Sequence, residues 1–236
     1  MNILAIDTST YVMGVALLKE GVPVGEIVTH EKKNHSVRLM AGIRSLFNEV
    51  DLEPKDLDRI VVSEGPGSYT GVRIGVTTAK TMAWGLGIPV VGVSSMEQLA
   101  QNGRHFPGLI SPFFDARRGQ VFTGLYEDQH GTVRELKENR MAIHTNWIEA
   151  LKEFSQPILF LSPDMEKHEQ LIQDELGELA VIGSPMECLP RPTELALIGM
   201  QKPVQGDTHT FSPNYLRLAE AEAKWLEANG KRKENG

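Results

Sequence analysis

A chain of 236 residues, 41% of them hydrophobic, has the length for one large domain or two small ones and for a sizeable core. Its formal charge of −7 argues against a free-standing nucleic-acid binder, while leaving room for RNA contact inside a larger, more basic assembly. The single Cys188 excludes an internal disulfide and a cysteine zinc site, which fits a reducing cytosol. With no basic leader or long apolar run, neither a signal peptide nor a membrane span is expected.

Asn2 to Ile6 reads as a buried strand ending at Asp7-Thr8-Ser9-Thr10. Val12–Leu18 and Val24–Thr29 follow as strands, with Lys19-Glu20-Gly21 turning between them. Ser36 is placed to cap a helix running to about Val50, on which Leu39, Met40, Ile43, Leu46, Phe47 and Val50 form a broad apolar stripe. After a polar connector, a strand Ile60–Ser63 runs into Glu64-Gly65-Pro66-Gly67-Ser68-Tyr69-Thr70-Gly71-Val72-Arg73-Ile74-Gly75 and a helix Thr70–Gly85. Gly71, Gly75, Ala79 and Ala83 recur once per turn and share a face, with Val72, Val76 and Met82 beside them. Gly87-Ile88-Pro89 stops this helix, Val90–Val93 is a strand, and Ser94 with Glu97 has the spacing of a capping box for another helix.

The pattern then begins again. Leu109–Phe114 is a strand closed by Asp115, Arg117-Arg118-Gly119 turns it, and Val121–Glu127 and Thr132–Leu136 follow. Helices are expected at Asn146–Phe154 and Met165–Leu176, with a strand Ile158–Leu161 between them, then a short helix Thr193–Met200 and a last one at about Leu216–Ala228. Strand–Asp–strand–Gly turn–strand therefore occurs twice, which reads as an internal duplication. Two subdomains follow, residues 1–104 and 105–236, with the last helix free to pack back on the first half.

Strand, glycine loop and helix together suggest a phosphate cradle, but the P-loop spacing is absent: Val72-Arg73 stands after Gly71 where Lys-Ser/Thr is needed. Asp7 is either an acid that positions metal-bound phosphate or a strand-end residue bonding its own turn through Thr8 and Ser9, and the second reading is preferred. His30 and His35 lack the His-Glu-x-x-His arrangement and are expected to be solvated loop residues rather than ligands. Asp115-Ala116-Arg117-Arg118 suits an anion clamp as well as a solvated hairpin turn, and Lys32-Lys33 is expected to be a solvated face. Trp84, Trp147 and Trp225 are read as core anchors or interface plugs, and Cys188 as an inert thiol.

Two βββαβα-type units, each with an Asp closing the first strand, suggest an α/β chain with a duplicated actin-like (ASKHA, ribonuclease-H-like) fold. The stretches Ile3-Leu4-Ala5-Ile6-Asp7-Thr8-Ser9, Gly65 to Gly75, Asp115-Ala116-Arg117-Arg118-Gly119-Gln120-Val121 and Pro213-Asn214-Tyr215-Leu216-Arg217 resemble the TsaB family. The resemblance implies a cytoplasmic, non-catalytic subunit of the machinery that makes threonylcarbamoyladenosine next to the tRNA anticodon. It implies a heterodimer with a catalytic TsaD-like paralogue, help from a TsaE-like ATPase, a homodimer when alone, and tRNA contact only through the complex. It implies no cofactor of its own, with ATP/ADP and metal held by the partner complex. The paralogue's metal-binding histidines would fall at Ser95 and Leu99, and neither side chain is a metal ligand.

The expected partner interface is Leu39, Met40 and Ile43 of the first helix with Gly71, Val72, Gly75, Val76, Ala79, Met82 and Ala83 of the second, packing as four helices about a pseudo-twofold axis. The competing reading is that the small residues let the second helix sit close to its own sheet. A self-sufficient actin-fold ATP-dependent phosphotransferase is the alternative function, and a metallopeptidase a more distant one. The phosphotransferase is disfavoured by the lack of a Gly-Gly pair, with Ser162-Pro163-Asp164 after Ile158–Leu161 where adenosine would approach.

Overall fold

Alternate residues of a strand face opposite sides of a sheet, so a strand buried along its whole length needs a layer on each face. The first strand, β1 (Ile3–Asp7), is buried throughout. In the structure, a computed structural model that describes residues 1–204, 206 and 208–216, both layers are present. Leu4 and Ile6 face α1 (His35–Glu49) and α2 (Tyr69–Leu86), whereas Ile3 and Ala5 face α6 (Pro192–Gln201).

The first sheet is ordered β3-β2-β1-β4-β5, with β2 (Val12–Lys19), β3 (Val22–His30), β4 (Arg59–Gly65) and β5 (Val90–Ser94). β1 pairs antiparallel with β2 and parallel with β4. The second sheet, β10-β9-β6-β7-β8, repeats the arrangement with β6 (Leu109–Arg117), β7 (Gln120–Gln129), β8 (Thr132–Ile143), β9 (Ile158–Leu161) and β10 (Ala180–Ile182). β6 stands where β1 does, antiparallel to β7 and parallel to β9. The duplication is thus one of topology, with Asp7 ending β1 and Asp115 two residues before the end of β6.

The helical layers do not respect the sequence boundary after residue 104. α3 (Ser95–Ala100), from the first half of the chain, puts Met96, Leu99 and Ala100 into one cluster with Ile110, Phe114 and Tyr126 of the second sheet. α6, from the second half, puts Leu195 and Ala196 against Ile3, Ala5 and Val61 of the first. A cut at 104 separates the two strand repeats but not the packed layers. The remaining face of the second sheet is covered by α4 (His144–Leu151) and α5 (Glu169–Leu176), through Trp147, Ile148, Leu151 and Ile172.

Several elements differ from expectation. Asn34 rather than Ser36 caps α1, accepting from the Ser36 N–H at 3.1 Å. β8 continues well beyond Leu136, and the expected helix from Met165 is a short 3-10 turn, Met165–Lys167, followed by α5. Ser94 caps α3, but Glu97 turns away to pair with Lys202 at 2.6 Å. Trp147 is a core anchor as expected, donating from Nε1 to Ser111 Oγ at 3.0 Å, whereas Trp84 is 67% exposed. The helix expected at Leu216–Ala228, with Trp225, lies outside the described residues.

Candidate functional site

The loop from β4 into α2 is held against the end of β1. Ser68 caps α2 by accepting from the Gly71 N–H at 3.2 Å, and its own N–H donates to the Ser9 carbonyl at 2.7 Å. Thr8 Oγ1 donates to the Gly71 carbonyl at 2.7 Å. A Cβ placed on Gly71 would stand 2.2 Å from the Thr8 carbonyl oxygen, a distance no side chain can take.

This geometry decides between the two readings of the small-residue face. Gly71, Val72, Gly75, Val76, Ala79 and Ala83 are all buried against the chain's own sheet, and Leu39 and Ile43 join them in the same cluster. They lie on the sheet-facing side of the helices and, apart from Leu39, a docking partner would not reach them as a surface. Met82 is partly buried on that cluster, and Met40, 51% exposed, is the expected interface residue that reaches solvent. The exposed side of the helix pair is displaced from the expected one. Between α1 and α2 runs a groove of about 320 Å³, lined by Ser36, Met40, Thr70, Arg73, Ile74, Thr77 and Thr78, with Leu39 at its floor. Hydrophobic patterning missed it because Thr77 and Thr78 carry methyl groups without registering as apolar.

A larger cleft of about 740 Å³ lies between the two sheets. Its walls are Ser9–Tyr11, Pro66–Thr70, Asp115–Arg117 and Asn214–Leu216, so parts of all four stretches quoted above converge there. Asp115 accepts from the Arg117 N–H at 2.9 Å and from Lys167 Nζ at 2.8 Å. Burial alone would raise the Asp115 pKa, but these two partners outweigh it and hold the carboxyl below its ordinary value. Lys167 also donates to Asp164 at 2.8 Å. Asp115 is thus pinned at its base, while Arg117, Arg118 and Gly119 of the turn are exposed, as a solvated hairpin turn requires.

Asp7 is not part of the cleft wall. It is 2% exposed, accepts from the Ser9 N–H at 2.8 Å, and burial raises its pKa against the pull of the Ser9 and Gln98 hydrogen bonds. That is the turn-bonding role. Of the two first-half histidines, His35 is a correction, whereas His30, at the end of β3, is exposed as expected. His35 opens α1, is buried, and bonds the Thr10 carbonyl through Nε2 at 2.7 Å. His30 stacks on Tyr11 and bonds its hydroxyl at 2.9 Å. A pair that sequence reasoning overlooked is His144 and His168, whose Nδ1 atoms meet at 2.8 Å under Phe113.

Ser95 and Leu99 are both fully buried. Ser95 Oγ donates to the Pro66 carbonyl, and Leu99 packs in the cluster shared with the second sheet. Among the described residues, no group of three or more His, Cys, Asp or Glu is arranged to hold a metal ion. None of the helices among them is long and apolar enough to cross a membrane.

The family model described as "TsaD: tRNA N6-adenosine threonylcarbamoyltransferase" matches residues 24–225. The tRNA threonylcarbamoyladenosine biosynthesis protein TsaB of Bacillus subtilis is 55% identical over 228 residues, covering 97% of this chain and 99% of that protein. The chain belongs to the TsaB family. The Escherichia coli TsaB protein is 33% identical over 134 residues, 56% of this chain and 58% of its own. Among solved structures, YeaZ from Pseudomonas aeruginosa superimposes with a TM-score of 0.73 at 25% identity, covering 91% of this chain and 99% of that one. A second Pseudomonas aeruginosa structure, described as similar to the peptidase YeaZ, gives 0.74 at 26%, covering 92% and 99%. The TsaB-family stretches thus build two surfaces, a helix groove and an inter-sheet cleft, around an acid that is sealed from both.

Proposed function

We propose that the chain acts in tRNA threonylcarbamoyladenosine biosynthesis as a non-catalytic subunit that docks a TsaD-like paralogue through the α1–α2 groove. The observation that carries this reading is the groove itself, apolar at Met40 and Ile74 and backed by helices locked onto the sheet, so that binding costs little ordering. A paralogue with the same fold would offer an equivalent helix pair, and the two pairs would close as four helices. Alone, a second copy of this chain would cover the same groove. The buried Ser95 and Leu99 support a supporting rather than a metal-binding role. ATP/ADP, metal and the TsaE-like ATPase belong to the assembled complex in this reading, tRNA is met only there, and the setting is the cytoplasm.

The test is reconstitution. Met40→Glu and Thr77→Arg should abolish co-elution with the paralogue and lower threonylcarbamoyl transfer to tRNA by at least tenfold. Wild-type co-elution by both variants, or transfer at full rate with this chain omitted, would refute the reading. Turnover of ATP by the pure chain would instead favour the phosphotransferase alternative.

A further inference from the structure

The cleft between the sheets is separate from the docking groove, and docking does not explain its composition. In a chain of charge −7, the cleft is lined among the described residues by four cations, Lys32, Lys33, Arg117 and Lys167, against two carboxylates, Asp115 and Asp164. Lys167 is committed to both carboxylates at 2.8 Å, so the surplus charge along the cleft is positive and rests on Lys32, Lys33 and Arg117. Lys32 and Lys33 come from the first sheet's side and Arg117 from the second's.

Aromatic rings interleave these cations. Tyr69 and Tyr215 stack with centroids 4.8 Å apart, each 41% exposed at the cleft wall. Tyr11 lies under Lys32 Nζ at 5.4 Å from its centroid. Deeper in, His35 is 8% exposed, and its Nε2 must donate to the Thr10 carbonyl at 2.7 Å. Its Nδ1 is sealed from solvent and has no partner among the described residues, so the ring serves as part of the cleft floor.

We propose that this cleft seats an unpaired nucleotide of an RNA strand, with its base against the tyrosines and its flanking phosphates on Lys32, Lys33 and Arg117. Cations divided between the two sides suit successive phosphates of a running backbone, and base stacking on tyrosine is the usual companion of such charge. A free metal–nucleoside triphosphate suits the cleft less well, because Asp7 is sealed beneath the Ser9 turn and Gly67 packs on Ser9 where a phosphate would enter. The proposal rests on the docking reading only for its setting, in which the paralogue adds the rest of the RNA site.

Fluorescence anisotropy of a labelled short single-stranded RNA tests it, on the full chain and on its complex with the paralogue. Lys32→Glu/Lys33→Glu should weaken binding roughly tenfold at low salt and make the salt dependence shallower by about 1.4, the slope expected for two lost phosphate contacts. Tyr215→Ala should weaken it about tenfold through lost stacking. Unchanged affinity in both variants, no RNA binding by chain or complex, or equal competition by free AMP, magnesium ATP or an acidic peptide would overturn the proposal. The lysine double variant should still co-elute with the paralogue, since neither lysine lines the α1–α2 groove. Failure of the docking reading has its own readout, co-elution of Met40→Glu.

Discussion

A Cβ added at Gly75 would stand 2.5 Å from the Thr8 hydroxyl oxygen, and that hydroxyl already donates to the Gly71 carbonyl at 2.7 Å. Helix α2 is therefore clamped to the end of β1 along its small-residue face. Gly75→Leu and Ala79→Trp should act as overpacking changes in the core, costing about 1–3 kcal/mol or more. A thermal melt checks this. A wild-type melting temperature for either variant would mean that the face is exposed after all.

The opposite face of the same helices should be tolerant. Met40 and Thr77 lie on the solvent side, so Met40→Glu and Thr77→Arg should shift stability by no more than about 0.5 kcal/mol. Denaturant midpoints measured beside the co-elution experiment separate lost docking from lost folding.

Asp7 carries its charge at a cost. Burial raises its pKa, so folding works against the ionised form. Asp7→Asn keeps an oxygen for the Ser9 N–H and removes that charge, and the melting temperature at pH 7 should stay level or rise. Transfer activity of the reconstituted complex should be unaffected. A large loss of transfer in a well-folded Asp7→Asn protein would point to a catalytic acid.

The buried histidine pair makes stability depend on pH. Burial, and then the nearby His168, lower the His144 pKa to about 3, and burial lowers that of His168. Between the unfolded value of 6.5 and the folded one, the unfolded chain binds more protons, so stability rises with pH there and is lost as pH falls below 6.5. The slope is at most roughly 1.4 kcal/mol per pH unit for each histidine. Melts at pH 7.5 and pH 5 should show the loss, and His144→Phe should flatten it. An equally steep pH dependence in that variant would assign the effect elsewhere.

Much of the strand framework is legible in the sequence because β1, β2, β6 and β7 carry apolar runs bounded by turn residues, and the Asp-ended repeat exposes the duplication. The end of β8 is not legible, since Lys137 to Arg140 alternate between two polar environments and leave no apolar period. The direction of the α2 small face is undecidable from spacing alone. Glycine and alanine one turn apart fit a sheet as well as a second helix, and the deciding contact with Thr8 depends on which element lies opposite. The His35–Thr10 and His144–His168 contacts join residues that only the topology brings together. Tyr69 and Tyr215 stand in two of the family-like stretches, but their stacking at the cleft follows from the return of the chain after α6, where the Asn214 N–H donates to the Glu64 carbonyl at 2.8 Å.

The exchange of α3 and α6 between the sheets makes the two halves hostages of each other. A fragment ending at residue 104 would leave Ile3, Ala5, Leu18, Val61 and Val93 facing water without Leu195 and Ala196. The complementary fragment would expose Ile110, Phe114, Tyr126 and Leu161 without Met96 and Leu99. A chain nicked near residue 105 should therefore regain its structure only when both pieces are refolded together.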